Sequence, residues 1–330
     1  MLTKEVATAL PLKPAFIEPM LASPVRELPD GAAWSYEAKL DGYRCLAAKG
    51  SRGDVVLWSR RGNLFTARFS EIARACQAMP TNTIIDGEVV AIDADGRMSF
   101  NALQHSRSRT QLQFYAFDVL AYRGRSTLRL PLEQRRELLV DALAKVQYPV
   151  IRSTPFDAKP ADLIQAAKEL ELEGIIAKRK DSLYEPVRRS GAWLKYKINR
   201  SQEFVIGGYT AGNPFDALIV GYYEGAELKF VGKVRNGFVP HVRREVFKSL
   251  RSLESDRCPF ANLPEKRRTM WALTASEMKE CRWLKPELVA QVEFTEWTPD
   301  AHLRHASFAG LRDDKEARQV RREQPARYRL

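Results

Sequence analysis

Between residues 34 and 120, short runs of aromatic and β-branched residues alternate with turn residues, and this rhythm limits the fold more than any other feature of the chain. The runs are Trp34 to Leu40, Tyr43 to Ala48, Val55 to Ser59, Ile84 to Ile92 and Leu112 to Leu120, with turn pairs at Asp41-Gly42, Gly53-Asp54 and Asp95-Gly96. Strands this short, closed by such pairs, predict meandering, mainly antiparallel sheet. Helices interrupt it. Phe65, Phe69, Ile72, Cys76 and Met79 recur at helical spacing, as do Leu132, Leu139, Leu143 and Val146, and then Leu163, Ala167 and Leu170. Such stripes are read as core. Strand signals return at Gly174 to Lys178 and Trp193 to Ile198.

A boundary near Asn199-Arg200-Ser201 opens a region with a different rhythm. Strands are predicted at Phe204 to Tyr209, Leu218 to Tyr223, Glu227 to Val234 and 288–297, with a helix at about 240–253. Several strands and one helix in this span resemble a small closed barrel of the OB type, with an unrelated small β-domain as the alternative. Prolines at 11, 14, 19 and 24 mark residues 1–25 as an extended lead-in, and the arginine-rich stretch from Lys315 to Leu330 is expected to fray.

A length of 330 residues predicts two domains, at roughly one per 150 residues. The formal net charge of +12 favours a polyanionic partner. No apolar run approaches the ~20 residues of a spanning helix, which argues against a membrane protein. Cys45, Cys76, Cys258 and Cys281 are scattered, and His105, His241, His302 and His305 form no ligand-spaced set with them. This spacing argues against a zinc site and a disulfide framework, and a reducing compartment fits. The first residues lack a signal peptide's apolar core, so a cytoplasmic protein is expected.

Within this frame lie residues suited to phosphoryl chemistry. Glu37-Ala38-Lys39-Leu40-Asp41-Gly42-Tyr43-Arg44 sets a lysine two residues before a turn. Alone it reads better as an exposed lysine at a strand end than as a nucleophile. Ser59-Arg60-Arg61-Gly62 offers adjacent guanidinium groups for phosphate, or merely a basic turn. Asp86 and Glu88 lie two apart in the apolar run Ile84 to Val90, so a strand would turn both to one side. Charge there is costly without a task. Phe114-Tyr115-Ala116-Phe117 alternates aromatics that pack a core or stack on a base. Glu173 precedes the strand ending at Lys178, and Lys195 and Lys197 share a strand face, where they would repel unless an anion sat between them.

In this order, the segments resemble the covalent nucleotidyltransferase superfamily, and most closely ATP-dependent DNA ligases. The resemblance runs from about Phe16 to Lys315. Glu18-Pro19-Met20-Leu21-Ala22 and the segment Leu303 to Lys315 are similar to the ligase module of bacterial end-joining ligases of the ligase D type. That group usually has proline where this chain has Ala306, and lysine where it has Ala309, so no role is carried onto position 309.

The resemblance implies an α+β fold, with an antiparallel-sheet nucleotidyltransferase (adenylation) domain at residues 26–199 and an OB-fold β-barrel domain with a basic tail at 200–330. It implies that Lys39 becomes adenylylated and that Glu37 contacts adenine. Arg44 and Arg60 would bind ribose or a DNA 5′-phosphate, Glu88 ribose or metal, and Glu173 metal. Phe117 would stack on adenine, and Lys178 would belong to the nucleotide site. Lys195 and Lys197 would act at the α-phosphate, and Arg312 and Lys315 would close over pyrophosphate through a hinge near 199. ATP and Mg2+, or Mn2+, are the implied cofactors. An ordinary lysine is neutral in only about one molecule in 2,500 at pH 7, so burial or nearby cations must make the ammonium costly. The carboxylates of Glu37 and Asp41 are therefore expected to have other partners.

The expected activity is sealing of 5′-phosphate/3′-hydroxyl nicks in double-stranded DNA through lysyl-AMP, in repair or end joining. The protein is expected to be a monomeric, stand-alone minimal ligase, bacterial and nucleoid-associated, with a Ku-like end-binding protein as candidate partner. Rival readings are an RNA ligase, an mRNA-capping-type guanylyltransferase, and a catalytically inactive basic nucleic-acid-binding module.

Overall fold

The computed structural model describes residues 15–92, 98, 103, 111–170, 172–198, 200–265 and 272–323. The beginning of the lead-in, the Asp95-Gly96 turn, His105, Asn199 and the tail beyond Glu323 lie outside the described residues. The chain forms two compact units that part after Ile198.

The first unit contains β1 (Ser23–Pro24), β2 (Trp34–Lys39), β3 (Tyr43–Lys49), β4 (Val55–Ser59), α1 (Ser70–Cys76), β5 (Thr83–Ile92), β6 (Gln111–Tyr122) and β7 (Arg125–Ser126). There follow α2 (Leu132–Leu143), β8 (Val150–Arg152), α3 (Pro160–Glu169), β9 (Gly174–Arg179) and β10 (Trp193–Lys197). Among the described residues these strands make two sheets. One has the order β4-β3-β5-β6-β7, with β8 parallel to β6, and the other β1-β10-β9-β2.

Strand alternation decides what each face carries. Tyr43, Cys45 and Ala47 of β3 enter a core shared with Ile72 and Cys76 of α1 and with Leu138 and Leu139 of α2. The intervening Leu46 and Ala48 enter a second core with Met20, Tyr184 and Trp193. In the smaller sheet, Trp34, Tyr36, Ile175, Ala177 and Leu194 pack against Leu163 and Ala167 of α3. Its opposite face is left to the residues between them, which include Glu37, Lys39, Lys178, Lys195 and Lys197.

The apolar stripe from Phe65 to Met79 is buried in one core as expected, but only Ser70–Cys76 is α-helix. Phe65 and Phe69 enter that core from the turn before it, where the Phe69 amide donates to the Phe65 carbonyl. The lead-in is less detached than its prolines suggest. Met20 is fully buried, and β1 pairs in parallel with β10.

The second unit contains β11 (Arg200–Ala211), β12 (Phe215–Glu224), β13 (Glu227–Val234), α4 (Pro240–Arg251), β14 (Glu254–Ser255), β15 (Cys281–Leu284), β16 (Val289–Phe294), β17 (Glu296–Trp297), β18 (Leu303–Arg304) and β19 (Ser307–Leu311). β13, β12, β11, β16 and β19 are paired in that order. A parallel bridge between Asn236, just past β13, and Ser307 of β19 joins the two edges. α4 buries Val242, Val246 and Leu250 in the core formed by Phe204, Leu218 and Val292. The expected strand at 288–297 is broken at Thr295 into β16 and β17. The expected fraying from Lys315 does not hold for residues 315–323. Lys315 pairs with Glu203 at 2.7 Å, the Arg321 carbonyl accepts from Gln202, and the Arg322 guanidinium lies 4.2 Å from the Trp297 ring centre.

Candidate active site

Register brings the charged residues of the smaller sheet together. Lys39 stands opposite Gly174, which stands opposite Lys197. The next row is Glu37, Ile176 and Lys195, and the next is Ser35, Lys178 and Trp193. A residue and its partner directly across a strand pair share a face, so these side chains project from one surface of the sheet. Gly174 lets the strands meet there, since a Cβ on it would fall 2.0 Å from the Tyr196 carbonyl oxygen.

Glu173, the residue before Gly174, is the anion of the lysine cluster. It pairs with Lys39, and Lys197 Nζ is 3.8 Å away. Burial pushes the Glu173 carboxyl up, but Lys39, Lys197 and Lys195 together hold it below the usual carboxylate range. Glu173 is thus an anion of the protein itself beside Lys197, and Lys195 acts on it electrostatically.

One row inward, Glu37 is buried and multiply held, as expected for a carboxylate kept from Lys39. Arg136 Nη2 donates to it, Lys178 Nζ lies at 3.0 Å and Ser153 Oγ donates at 3.2 Å. Burial raises the Glu37 carboxyl, and Lys178 and Arg136 more than reverse this. Lys178 is itself pushed down, by burial first and by Arg136, against the pull of Glu37. Two cations share one carboxylate, so the acid is over-served and the lysine under-served. The Lys178 ammonium also lies 4.2 Å from the ring centre of Phe117 and 4.4 Å from that of Trp193.

The larger sheet supplies the other wall. Arg44 pairs with Glu88 and Leu46 with Asp86 across β3 and β5, so Asp86 and Glu88 do share a face. Gly42 permits the approach of the Lys39 turn to β5, because a Cβ there would fall 2.1 Å from the Val89 carbonyl oxygen. Arg44 Nε and Nη2 donate to the fully buried Asp86 carboxylate, and the guanidinium lies 4.7 Å from the Phe117 ring centre. Tyr184 Oη donates to Asp86 at 2.6 Å and accepts from the Met20 amide at 3.0 Å. Burial first, and then Asp86, push the Tyr184 hydroxyl well above its ordinary value. Phe114 and Phe117 part company, Phe114 to the helix-backed core and Phe117 to the side of Arg44.

Arg60 follows β4 in a turn tied by the Gly62 amide to the Ser59 carbonyl. In the second unit, Arg312 is held bidentately by the buried Asp314, and Lys315 by Glu203. No group of three or more His, Cys, Asp or Glu is arranged to hold a metal among the described residues. Glu88 and Glu173 are, however, the hard oxygen donors magnesium takes one or two at a time alongside substrate phosphates.

Sequence reasoning missed Arg135, Arg136, Ser153, Tyr184 and Trp193. The adjacent arginines near the start of α2 run against the helix dipole, and that was the one signal available for them. Hydroxyls and an indole far along the chain left none.

Comparison with known proteins identifies the family. Residues 19–197 match the family described as ATP dependent DNA ligase domain, and residues 211–315 the ATP dependent DNA ligase C terminal region. The multifunctional non-homologous end joining protein LigD of Pseudomonas aeruginosa is 35% identical over 325 residues, which cover 95% of this chain and 37% of that protein. This chain therefore spans little more than a third of the LigD proteins it matches. DNA ligase C1 of Mycolicibacterium smegmatis is 31% identical over 338 residues, covering 93% of this chain and 92% of that protein. The structure of mycobacterial DNA ligase D complexed with ATP and MES matches at a TM-score of 0.65 and 32% identity, over 92% of this chain and 98% of that one. A nucleotidyltransferase unit followed by an OB-type unit, with both family matches in sequence order, makes this chain a member of the ATP-dependent DNA ligase family.

Proposed function

We propose that the chain seals 5′-phosphate/3′-hydroxyl nicks in double-stranded DNA with ATP, through AMP carried on Lys39. The observation that carries the reading is the row Lys39, Gly174, Lys197 with Glu173 beside it, facing the Arg44, Asp86 and Phe117 wall. Lys39, once it has left its pair with Glu173 and given up a proton, attacks the α-phosphorus of ATP as the neutral amine, an N–P bond forms, and the bond to pyrophosphate breaks. The DNA 5′-phosphate oxygen then attacks the same phosphorus and releases Lys39. The 3′-hydroxyl finally attacks the activated 5′-phosphate, and AMP leaves.

Lys195 and Lys197 would neutralise charge growing on the α-phosphate oxygens. Glu37 and Lys178 would present an acceptor and a donor to the base, and Phe117 an apolar ring face. Arg44 and Arg60 would hold ribose or the 5′-phosphate. Glu88 and Glu173 would hold Mg2+ or Mn2+, which when bound supplies further charge neutralisation at the phosphates. Residues 26–199 would perform adenylyl transfer. The motif in residues 200–330 supports pyrophosphate contacts from Arg312 and Lys315, which must first leave Asp314 and Glu203. Similarity to LigD proteins supports a duty in end joining, with a Ku-like protein as candidate partner.

The test is incubation with α-labelled ATP and magnesium. Wild type should retain label, and Lys39→Ala should not. Equal labelling of the two would falsify the assignment.

A further inference from the structure

α2 packs against the larger sheet of the first unit, and its adjacent arginines reach a strand of each sheet. Arg135 is fully buried and donates through Nε and Nη2 to both oxygens of Asp118 on β6, at 2.7 and 2.9 Å. Its remaining Nη1 donates to the carbonyls of Leu130 and Ser182. Arg136 turns the other way. Its Nη1 donates to Ser35 Oγ at 2.7 Å and its Nη2 to Glu37, two residues on the same face of β2. One helical turn therefore ties the wall that carries Phe117 to the wall that carries Lys39.

Glu37 depends on this tie for its orientation. Lys178 and Ser153 also contact the carboxylate, but Lys178 sits on β9 and is drawn at the same time toward Phe117 and Trp193. Arg136 is the one group described there that fixes a carboxylate oxygen and the strand beside it together. A rigid guanidinium fork can do this, whereas an ammonium on a flexible stem holds a single point.

We propose that Arg136 is a positioning residue for base recognition, holding the Glu37 carboxylate against β2 so that it meets the exocyclic amino group of adenine and repels the carbonyl of guanine. This rests on the ATP reading above. Arg136 acts through Glu37 and touches neither the base nor the phosphates. Its loss should weaken selection of nucleotide and leave the transfer of bound AMP intact.

The test uses the full chain with Arg136→Met and Arg136→Lys. In the self-labelling reaction, KM for ATP should rise roughly ten- to a hundredfold in Arg136→Met, on the scale of a lost charge-assisted hydrogen bond, with kcat nearly unchanged. Preference for ATP over GTP should fall in parallel. Arg136→Lys should recover part of the KM and less of the base preference, since it cannot bridge Ser35 and Glu37 at once. If wild type and Arg136→Met share KM and base preference, the proposal is overturned. A fall in kcat alone, with both of those unchanged, overturns it too. Should Arg136→Met fail to fold, Arg136→Lys decides: a lowered ATP preference supports the proposal, and a wild-type preference refutes it. Absence of label from wild type itself would instead remove the ATP reading beneath it.

Discussion

Asp86 takes both Nε and Nη2 of Arg44, at 2.6 and 2.5 Å, from a position wholly removed from solvent. The arginine expected to meet ribose or phosphate is thus first a fixed part of the wall. Tyr184 completes the carboxylate's shell, so Asp86 is a buried charge with its partners in place. Asp86→Asn removes the charge and turns one acceptor oxygen into an NH2 donor, which leaves the Arg44 guanidinium without its counter-charge and sets donor against donor on one side of the pair. Its expected cost is about 3–5 kcal/mol of unfolding free energy, read from denaturant midpoints. Tyr184→Phe should cost about 2 kcal/mol, since the bond to Asp86 and the bond from the Met20 amide both go and the ring remains. Equal costs for the two would refute the view that the ion pair is the larger part.

Glu37 gives stability a pH dependence of known sign. Its carboxyl is held below the ordinary value, so the unfolded chain takes up a proton first as pH falls. Its contribution is fully present above the ordinary carboxyl value of about 4.3, and it is lost as pH drops through the lowered folded one. Lys178 behaves otherwise. Its folded value is lowered, so stability rises with pH between that value and the ordinary lysine value of about 10.4. Glu37→Gln should therefore be clearly less stable than wild type at pH 7, and the gap should narrow steadily below pH 4–5. Denaturant titrations across that range measure it, and a gap independent of pH would count against the assignment.

Much of this was legible locally. Strand alternation predicts that Glu37 and Lys39, Asp86 and Glu88, and Lys195 and Lys197 share faces, and register brings them there. What a strand's parity cannot reveal is which strand lies opposite. The row from Lys39 through Gly174 to Lys197 joins three segments far apart in sequence, and only the motif order connected them beforehand. Glu37's clamp comes from α2 and from Ser153, whose sequence surroundings read as a helix and a loop. The basic tail misled for a related reason. Its arginines read as solvated charge, yet Arg322 spends its planar face on Trp297 and Arg318 lies 4.8 Å from the Tyr223 ring centre.

Val187 occupies a conformation its side chain resists. It has φ +68°, in the left-handed region that a β-branched residue rarely enters, and 53% of it is exposed, so its side chain gains little by burial. It lies in the connection between β9 and β10, where its amide donates to the Pro19 carbonyl at 3.3 Å. Left-handed geometry costs a residue with a Cβ about 1–2 kcal/mol, while glycine adds less than about 1 kcal/mol of unfolded-state entropy. Val187→Gly should therefore raise the denaturant midpoint, by the equivalent of about 0.5–1 kcal/mol. A lower midpoint would mean that the valine side chain contributes packing that outweighs the strain.

Substitution of Lys195 tests catalysis apart from binding. Lys195 stands in the row with Ile176 and Glu37, and it is among the cations that hold the Glu173 carboxyl down. If its charge serves the α-phosphate during attack, Lys195→Ala should lower the rate of self-adenylylation by about a hundredfold or more, as when a preorganised charge donor is removed from a transition state. Affinity for a nicked duplex, a sum over many phosphate contacts, should change only a fewfold. Label transfer and a gel-shift titration at one fixed salt concentration measure the two quantities side by side. Parallel loss of both, or a collapse of the thermal transition, would make Lys195 a structural member of the sheet face, needed to balance Glu173 and not to act on phosphorus.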